Sequence, residues 1–400
     1  MSSSVIGERA YSAYSRLPSL TGMRFIAAAM VFFFHASLTD PPQNPYADPF
    51  ASDLYQTLFS KAGWMGVSFF FVLSGFVLTW SARSTDTMGG FWRRRLVKIF
   101  PAHVVTWALA MILFAAAASD PHQWLPNLFL IHSWFPQHEI FISVNPPSWS
   151  LCSELLFYMC FPFIIKGVVR IRQERLWSYA GLMILGMVGV QVFTQFVLPD
   201  TPQTPEGFPV SVWQFWFGYN FPPVRLFEFV LGMLLARIVM SGMWFRSLGF
   251  VHATVLAVAG YALAMVVPWL YGLNVATIVP IVVLVCTAAT ADIEGRPSVL
   301  RSRTMIWLGE VSFGFYLAQY VVIYYLRQQM DARLFSTPLG TLVLLGLFFV
   351  TLLVGWLVHK FVEKPAMRRW GRPRGGGGSF LAKPMVGQES TSPAGEKARL

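Results

Sequence analysis

Along the chain, long runs of apolar residues alternate with short polar loops. A helix rising about 1.5 Å per residue needs about 20 apolar residues to cross a hydrocarbon core of about 30 Å. Runs of that length fall at approximately 20–38, 62–82, 99–119, 148–166, 177–198, 223–240, 249–268, 273–291, 305–326 and 339–362. They predict an all-α, polytopic membrane helical bundle of about ten transmembrane helices. One further run, Trp124 to Phe135, is too short to cross and is expected to form a re-entrant or interfacial segment. The first run lies too deep in the chain, and is too long, for a signal-peptide core, so it is expected to stay as the first span.

Composition sharpens this picture. Of 400 residues, 55% are hydrophobic and 12% charged, against about 25% charged in an ordinary soluble domain; a string of soluble domains is excluded. The net charge of +11 is confined largely to alternate loops. Arg93, Arg94, Arg95 and Lys98, then Lys166, Arg170, Arg172 and Arg175, then Arg246, Arg296, Arg301 and Arg303 share one side with both ends of the chain. Counting 124–135 as a span would put the first two clusters on opposite sides. The other loops hold Lys61, Arg327 and Arg333 amid Asp40, Asp48, Asp53, Asp120, Glu139, Asp200, Glu206 and Asp331. The positive-inside rule therefore places both termini in the cytoplasm, and the basic charge reads as topology, with no nucleic-acid partner. The expected organisation is a cytoplasmic segment 1–16, a membrane domain 17–370, and a disordered tail 371–400 opening on Gly375 to Gly378. Cys152 and Cys160, about 12 Å apart along one helix, cannot pair and read, with Cys286, as small core residues. The sequence holds no nucleotide-binding fingerprint, and no bound cofactor or metal is expected.

Ionisable groups at membrane depth are costly, so each invites a functional reading. Arg24 lies near the cytoplasmic end of the first span and His35 eleven residues on, about 16 Å deeper and on the same face. Alone, Arg24 reads equally as a snorkelling anchor and His35 as an interior histidine bonded between helices. Glu154, a few residues into a span entering from outside, is expected near the depth of His35. There a carboxylate would fix the imidazole tautomer for general-base chemistry. Arg94, Arg95 and Lys98 before Pro101 read by default as a positive-inside anchor, and their density also suits a phosphate-rich anion. Arg225 and Glu228 at i and i+3 form either an ion pair at the outer interface or the lining of an acceptor pocket. Glu310 must face the bundle or the interface.

Together these pieces resemble the membrane acyltransferase-3 family, O-acyltransferases that move acyl groups onto sugar and related hydroxyls. The likeness runs from about residue 17 to 370. Arg24 and His35 look like the family's Arg-x10-His signature, GVSFFFVLSGF at 66–76 like its second-span motif, and Arg94, Arg95 and Lys98 like its Arg-rich run. SWSLCSELLFY at 148–158 looks like the segment carrying the family's glutamate, here Glu154. Arg225 with Gly232, WLGEVSFGFYLAQ and Glu363-Lys364-Pro365 look like later landmarks. Gln319 stands where many members carry histidine, which removes a titrating group from that span.

The resemblance implies a multi-pass cell-membrane enzyme with acyl-CoA as co-substrate and a hydroxyl-bearing acceptor: polysaccharide, glycolipid or glycosylated macrolide. Under it, His35, Glu154 and Arg24 are the catalytic candidates. Arg94, Arg95 and Lys98 would hold the donor phosphates, and Ser150, Tyr158, Arg225 and Glu228 would contact substrate. The rival classes are a transporter or flippase using the buried charges as a path, a subunit of an envelope complex in which they only hold helices together, and the other large class of polytopic acyltransferases. No matched broken helices or inverted repeat favour the transporter.

Overall fold

The computed structural model describes residues 17–39, 41–83 and 86–371. The segment 1–16 and the tail from 372, with the disorder and cytoplasmic placement expected of them, lie outside the described residues. Within these the fold is helical, with no strand; two isolated bridges join Tyr46 to Phe335 and Gln203 to Ser211.

Every apolar run of span length is a helix. We number the helices α1 (Pro18–Ala36), α2 (Pro49–Phe59), α3 (Ala62–Ser81), α4 (Met88–Leu113), α5 (Pro121–Leu128), α6 (Trp149–Val168), α7 (Leu176–Val197), α8 (Leu226–Met240), α9 (Phe250–Val266), α10 (Val275–Ile293), α11 (Arg303–Gln329), α12 (Thr337–Val358) and α13 (Lys364–Trp370). Eight of these segments are long and apolar enough to cross a membrane. The two shorter runs, α8 and α9, have 15 and 17 residues. Local signals set the starts. Thr87 Oγ1 accepts from Gly90 N at 3.2 Å to open α4, and Ser302 Oγ accepts from Met305 N at 3.3 Å to open α11. Asp48 and Pro49 start α2, a helix within what the acids marked only as an outer loop.

The loops gather at two opposite ends. At one, Ser19 bonds Asp292 and Lys98 pairs with Glu363. At the other, Tyr261 Oη donates to Leu58 O and Arg327 braces the carbonyls of Ala332 and Arg333. The 115–148 segment forms no span, in line with its length. Instead α5 and several single turns fold inward, burying Asn127, His132, Asn145 and Ser148 completely. Asn127 Nδ2 donates to Ser143 O at 2.7 Å and Asn145 Nδ2 to Leu317 O at 3.0 Å, which satisfies backbone that lipid could not. Trp149, the first residue of α6, is therefore already buried, below the rim of the bundle.

Small residues draw several helices into backbone contact. A Cβ on Gly75 of α3 would strike the Phe229 carbonyl of α8, and one on Gly232 would strike the Val72 carbonyl. Gly309 of α11 meets Thr21 of α1 in the same way, and Gly314 of α11 meets Gly355 of α12.

Candidate functional site

Five helices surround one cavity near the end where α1 begins. Arg24 enters it from α1, Phe71 from α3, Lys98 from α4, Glu154 from α6 and Tyr316 from α11. The lining follows helical phase: Ser150, Glu154 and Tyr158 lie at i, i+4 and i+8, and Ser312 and Tyr316 at i and i+4. The free volume is about 60 Å³, room for about two waters.

Its charges are held apart. Tyr158 Oη donates to Glu154 Oε2 at 3.2 Å, while Arg24, Lys98 and Arg95 act on the same carboxylate electrostatically without touching it. Among the described residues Arg24 forms no hydrogen bond or ion pair, so a guanidinium stands free in a space walled by hydroxyls, Lys98 and Glu154 on one hand and by Val67, Phe70, Phe71 and Phe313 on the other. Lys98 is tied from behind by Glu363 and lies 5.4 Å from the Phe313 ring. Glu363 closes a π-turn, His359–Glu363, in which His359 Nδ1 lies 2.9 Å from its other oxygen. Ser150 Oγ and Tyr316 Oη are 2.8 Å apart, and both reach the Pro147 carbonyl.

The basic run does not act as one group. Lys98 faces the cavity. Arg95 packs over Phe91 and Tyr158 at 5.4 and 5.7 Å. Arg94, a turn nearer the mouth, is taken by Asp86 at 2.6 Å. Glu310 is exposed at the same end, 3.8 Å from Lys364.

His35 lies elsewhere. Its Nδ1 is 3.0 Å from the Val31 carbonyl; since a carbonyl only accepts, Nδ1 carries the proton and Nε2 keeps its basic lone pair. Gln319 interacts with the ring, and Tyr320 lies edge-on at 5.7 Å. The expected pairing with Glu154 is corrected: among the described residues no hydrogen bond or ion pair joins them. Glu154 groups with Arg24, about 16 Å along α1 from His35. The depth reckoning counted α6 from the membrane surface, whereas the folded 115–148 segment sinks its first residue into the bundle. The tautomer is fixed by the Val31 carbonyl, a backbone partner no side-chain spacing reveals.

Arg225 and Glu228 lie apart from the cavity. They are paired at 2.9 Å, as their i, i+3 spacing allows, but both are fully buried. Arg225 Nη2 also donates to Ser68 Oγ at 3.3 Å, and its guanidinium lies 4.3 Å from the Tyr219 ring and 5.1 Å from that of Phe71. The pair lies in the bundle interior and lines no part of the cavity around Arg24, while Arg225 Nε and Nη1 stay buried without a hydrogen-bond partner. Ser150 and Tyr158 do line the cavity.

Sequence reasoning missed Ser312, Tyr316 and the hold of Glu363 on Lys98. The hydroxyls at i and i+4 in an otherwise apolar run were the available signal; the ion pair across the chain had none.

Comparison with known proteins bears on what this arrangement serves. The acyltransferase-3 family model, described as an acyltransferase domain, matches residues 17–360. The chain is 38% identical to acyltransferase MdmB of Streptomyces mycarofaciens, over 90% of this chain and 94% of that protein. It is 24% identical to the putative peptidoglycan O-acetyltransferase YrhL of Bacillus subtilis, over 87% of this chain and 54% of the relative. It is 20% identical to O-acetyltransferase OatA of Staphylococcus aureus, over 88% of this chain and 57% of the relative. The chain thus spans little more than half the length of these last two. No solved structure matches it significantly.

Proposed function

The chain belongs to the acyltransferase-3 family, a multi-pass membrane acyltransferase transferring groups other than amino-acyl groups, and from that premise we propose how it works. The donor is acyl-CoA, the acceptor a hydroxyl on a glycan, glycolipid or glycosylated macrolide, and His35 the general base. The relative described as a putative peptidoglycan O-acetyltransferase supports a glycan hydroxyl. With about ten spans and the positive-inside charge pattern, we take both termini as cytoplasmic and the cavity as opening toward the side where a CoA ester is available. The transporter reading yields to family membership.

One observation carries the mechanism. Arg24 and His35 share a face of α1 about 16 Å apart, the first free in the cavity, the second with Nε2 unprotonated. A donor whose anionic end is separated from its reactive carbonyl by a long slender arm matches that separation. Arg24 and Lys98 hold the donor's anionic end, with Arg95 behind them and Arg94 at the mouth. Glu154 offsets and orients the cations instead of the imidazole, so Arg24 serves donor binding rather than the reacting carbonyl. At the other end His35 Nε2 takes the acceptor proton as the oxygen attacks the thioester carbonyl. The C–O bond forms, the C–S bond breaks, and the CoA thiolate leaves, taking up a proton.

The test measures CoA thiol release and acylated product, with acceptors found by mass spectrometry of surface glycans and secreted metabolites with and without the gene. His35→Ala should lower turnover by about 10²–10⁴-fold in folded protein. Turnover near wild type in that variant would sink the assignment of the base.

A further inference from the structure

The loop joining α6 to α7 builds a second site, unrelated to the donor cavity. Arg170, Arg172 and Arg175, with Gly167 and Tyr179, surround an open hollow of about 490 Å³. Among the described residues none of the three guanidinia has a hydrogen bond or ion pair, and Glu174 between them makes none either. The loop itself is held firmly. Arg237 of α8, only 8% exposed, reaches across to the carbonyls of Val168 and Ile171. Setting topology requires positive charge but neither convergence on one hollow nor a buried arginine spent on bracing it.

The surroundings indicate what the hollow receives. One turn from Gly167 along α6, Phe163 is 56% exposed, and one turn from Tyr179 along α7, Leu182 is 54% exposed. Both helices thus run from the basic hollow onto apolar faces that look outward to lipid. Trp177 stacks on Trp244 beside the hollow, an aromatic placement typical of the membrane interface. We propose that this hollow binds the phosphate of an anionic phospholipid, its acyl chains lying along Phe163 and Leu182. Three guanidinia supply the fork geometry that phosphate oxygens fit, and the Tyr179 hydroxyl adds a donor.

The experiment compares the delipidated full-length protein with two variants, Arg170→Gln/Arg172→Gln/Arg175→Gln and Gly167→Leu. Gly167 lines the hollow and a side chain there meets no neighbouring atom within 4 Å, so the second variant adds bulk at its wall while leaving every charge and the topology intact. Retained lipid is counted by native mass spectrometry, and thermal midpoints are followed with phosphatidylglycerol, with phosphatidylcholine and with inorganic phosphate. The wild type should prefer phosphatidylglycerol over phosphatidylcholine. The triple variant should lose about a hundredfold in affinity, roughly fivefold for each arginine, and Gly167→Leu should lose it as well. Stabilisation by inorganic phosphate but not by phosphatidylglycerol would make the ligand a free anion and overturn the lipid assignment. Equal retention in the wild type and Gly167→Leu would overturn the site and leave the arginines as topology anchors.

Discussion

Arg225 with Glu228 and Arg24 with Glu154 are the same two residue types inside the same bundle, arranged in opposite ways. The first pair is in direct contact at 2.9 Å, with no exposed surface and ring faces on its open sides. The second is held apart across a cavity, its carboxylate taken by Tyr158 and its guanidinium left free. A charge that the bilayer should exclude is therefore not by itself evidence of chemistry. What separates the two pairs is direct contact in a buried setting against separation across a cavity with room for a third party.

The largest expected effect falls on the closed pair. Glu228→Ala strands Arg225 in a sealed site, and removing one partner of a buried pair costs about 3–5 kcal/mol; thermal unfolding in detergent should show it. Replacing both, Arg225→Met with Glu228→Leu, should recover most of the loss. A stable Glu228→Ala protein would mean that water reaches Arg225 and that the contrast is wrong. At the open pair the sign of the effect moves from stability to binding. Arg24→Gln should leave the thermal midpoint nearly unchanged while raising KM for the acyl donor tenfold or more, from about 1.5–3 kcal/mol of lost charge-assisted bonding. An unfolded Arg24→Gln protein would class this arginine with Arg225. Glu363→Gln releases Lys98 and should raise the same KM about tenfold, about 1.4 kcal/mol, with kcat little altered. The smallest effect is expected of Tyr158→Phe, which removes one hydrogen bond to Glu154, worth about 0.5–1.5 kcal/mol, read as a modest KM change.

Much of this was legible in the chain before folding. Arg24, Glu154 and Lys98 stand out because apolar runs surround them, and the helices follow from run length and from caps such as Thr87 and Ser302. Depth was not legible. Where Glu154 sits depends on how far the 115–148 segment sinks, which is set by bonds such as Asn145 to Leu317 across 172 residues. The fate of Arg225 was half legible: spacing gave its partner, but Tyr219 and Phe71, which seal it, come from distant segments. Glu363 could be noticed, yet nothing local showed that it ends behind Lys98.

The glycine contacts between helices carry a mechanical consequence. On the proposed mechanism a cavity of about 60 Å³ has to widen to take in a thioester arm. Gly75 and Gly232 lock α3 to α8, Gly309 locks α11 to α1, and Gly314 with Gly355 locks α11 to α12, each by backbone pressed on backbone. Sliding any of these would separate surfaces that have no slack to lose. Two walls of the cavity, α4 and α6, are free of such clasps: Gly89 and Gly167 meet no neighbouring atom, and Pro101 and Pro162 interrupt their hydrogen-bond ladders. On the proposed mechanism the frame is thus rigid except at these two staves, one of which carries Lys98 and the other Glu154.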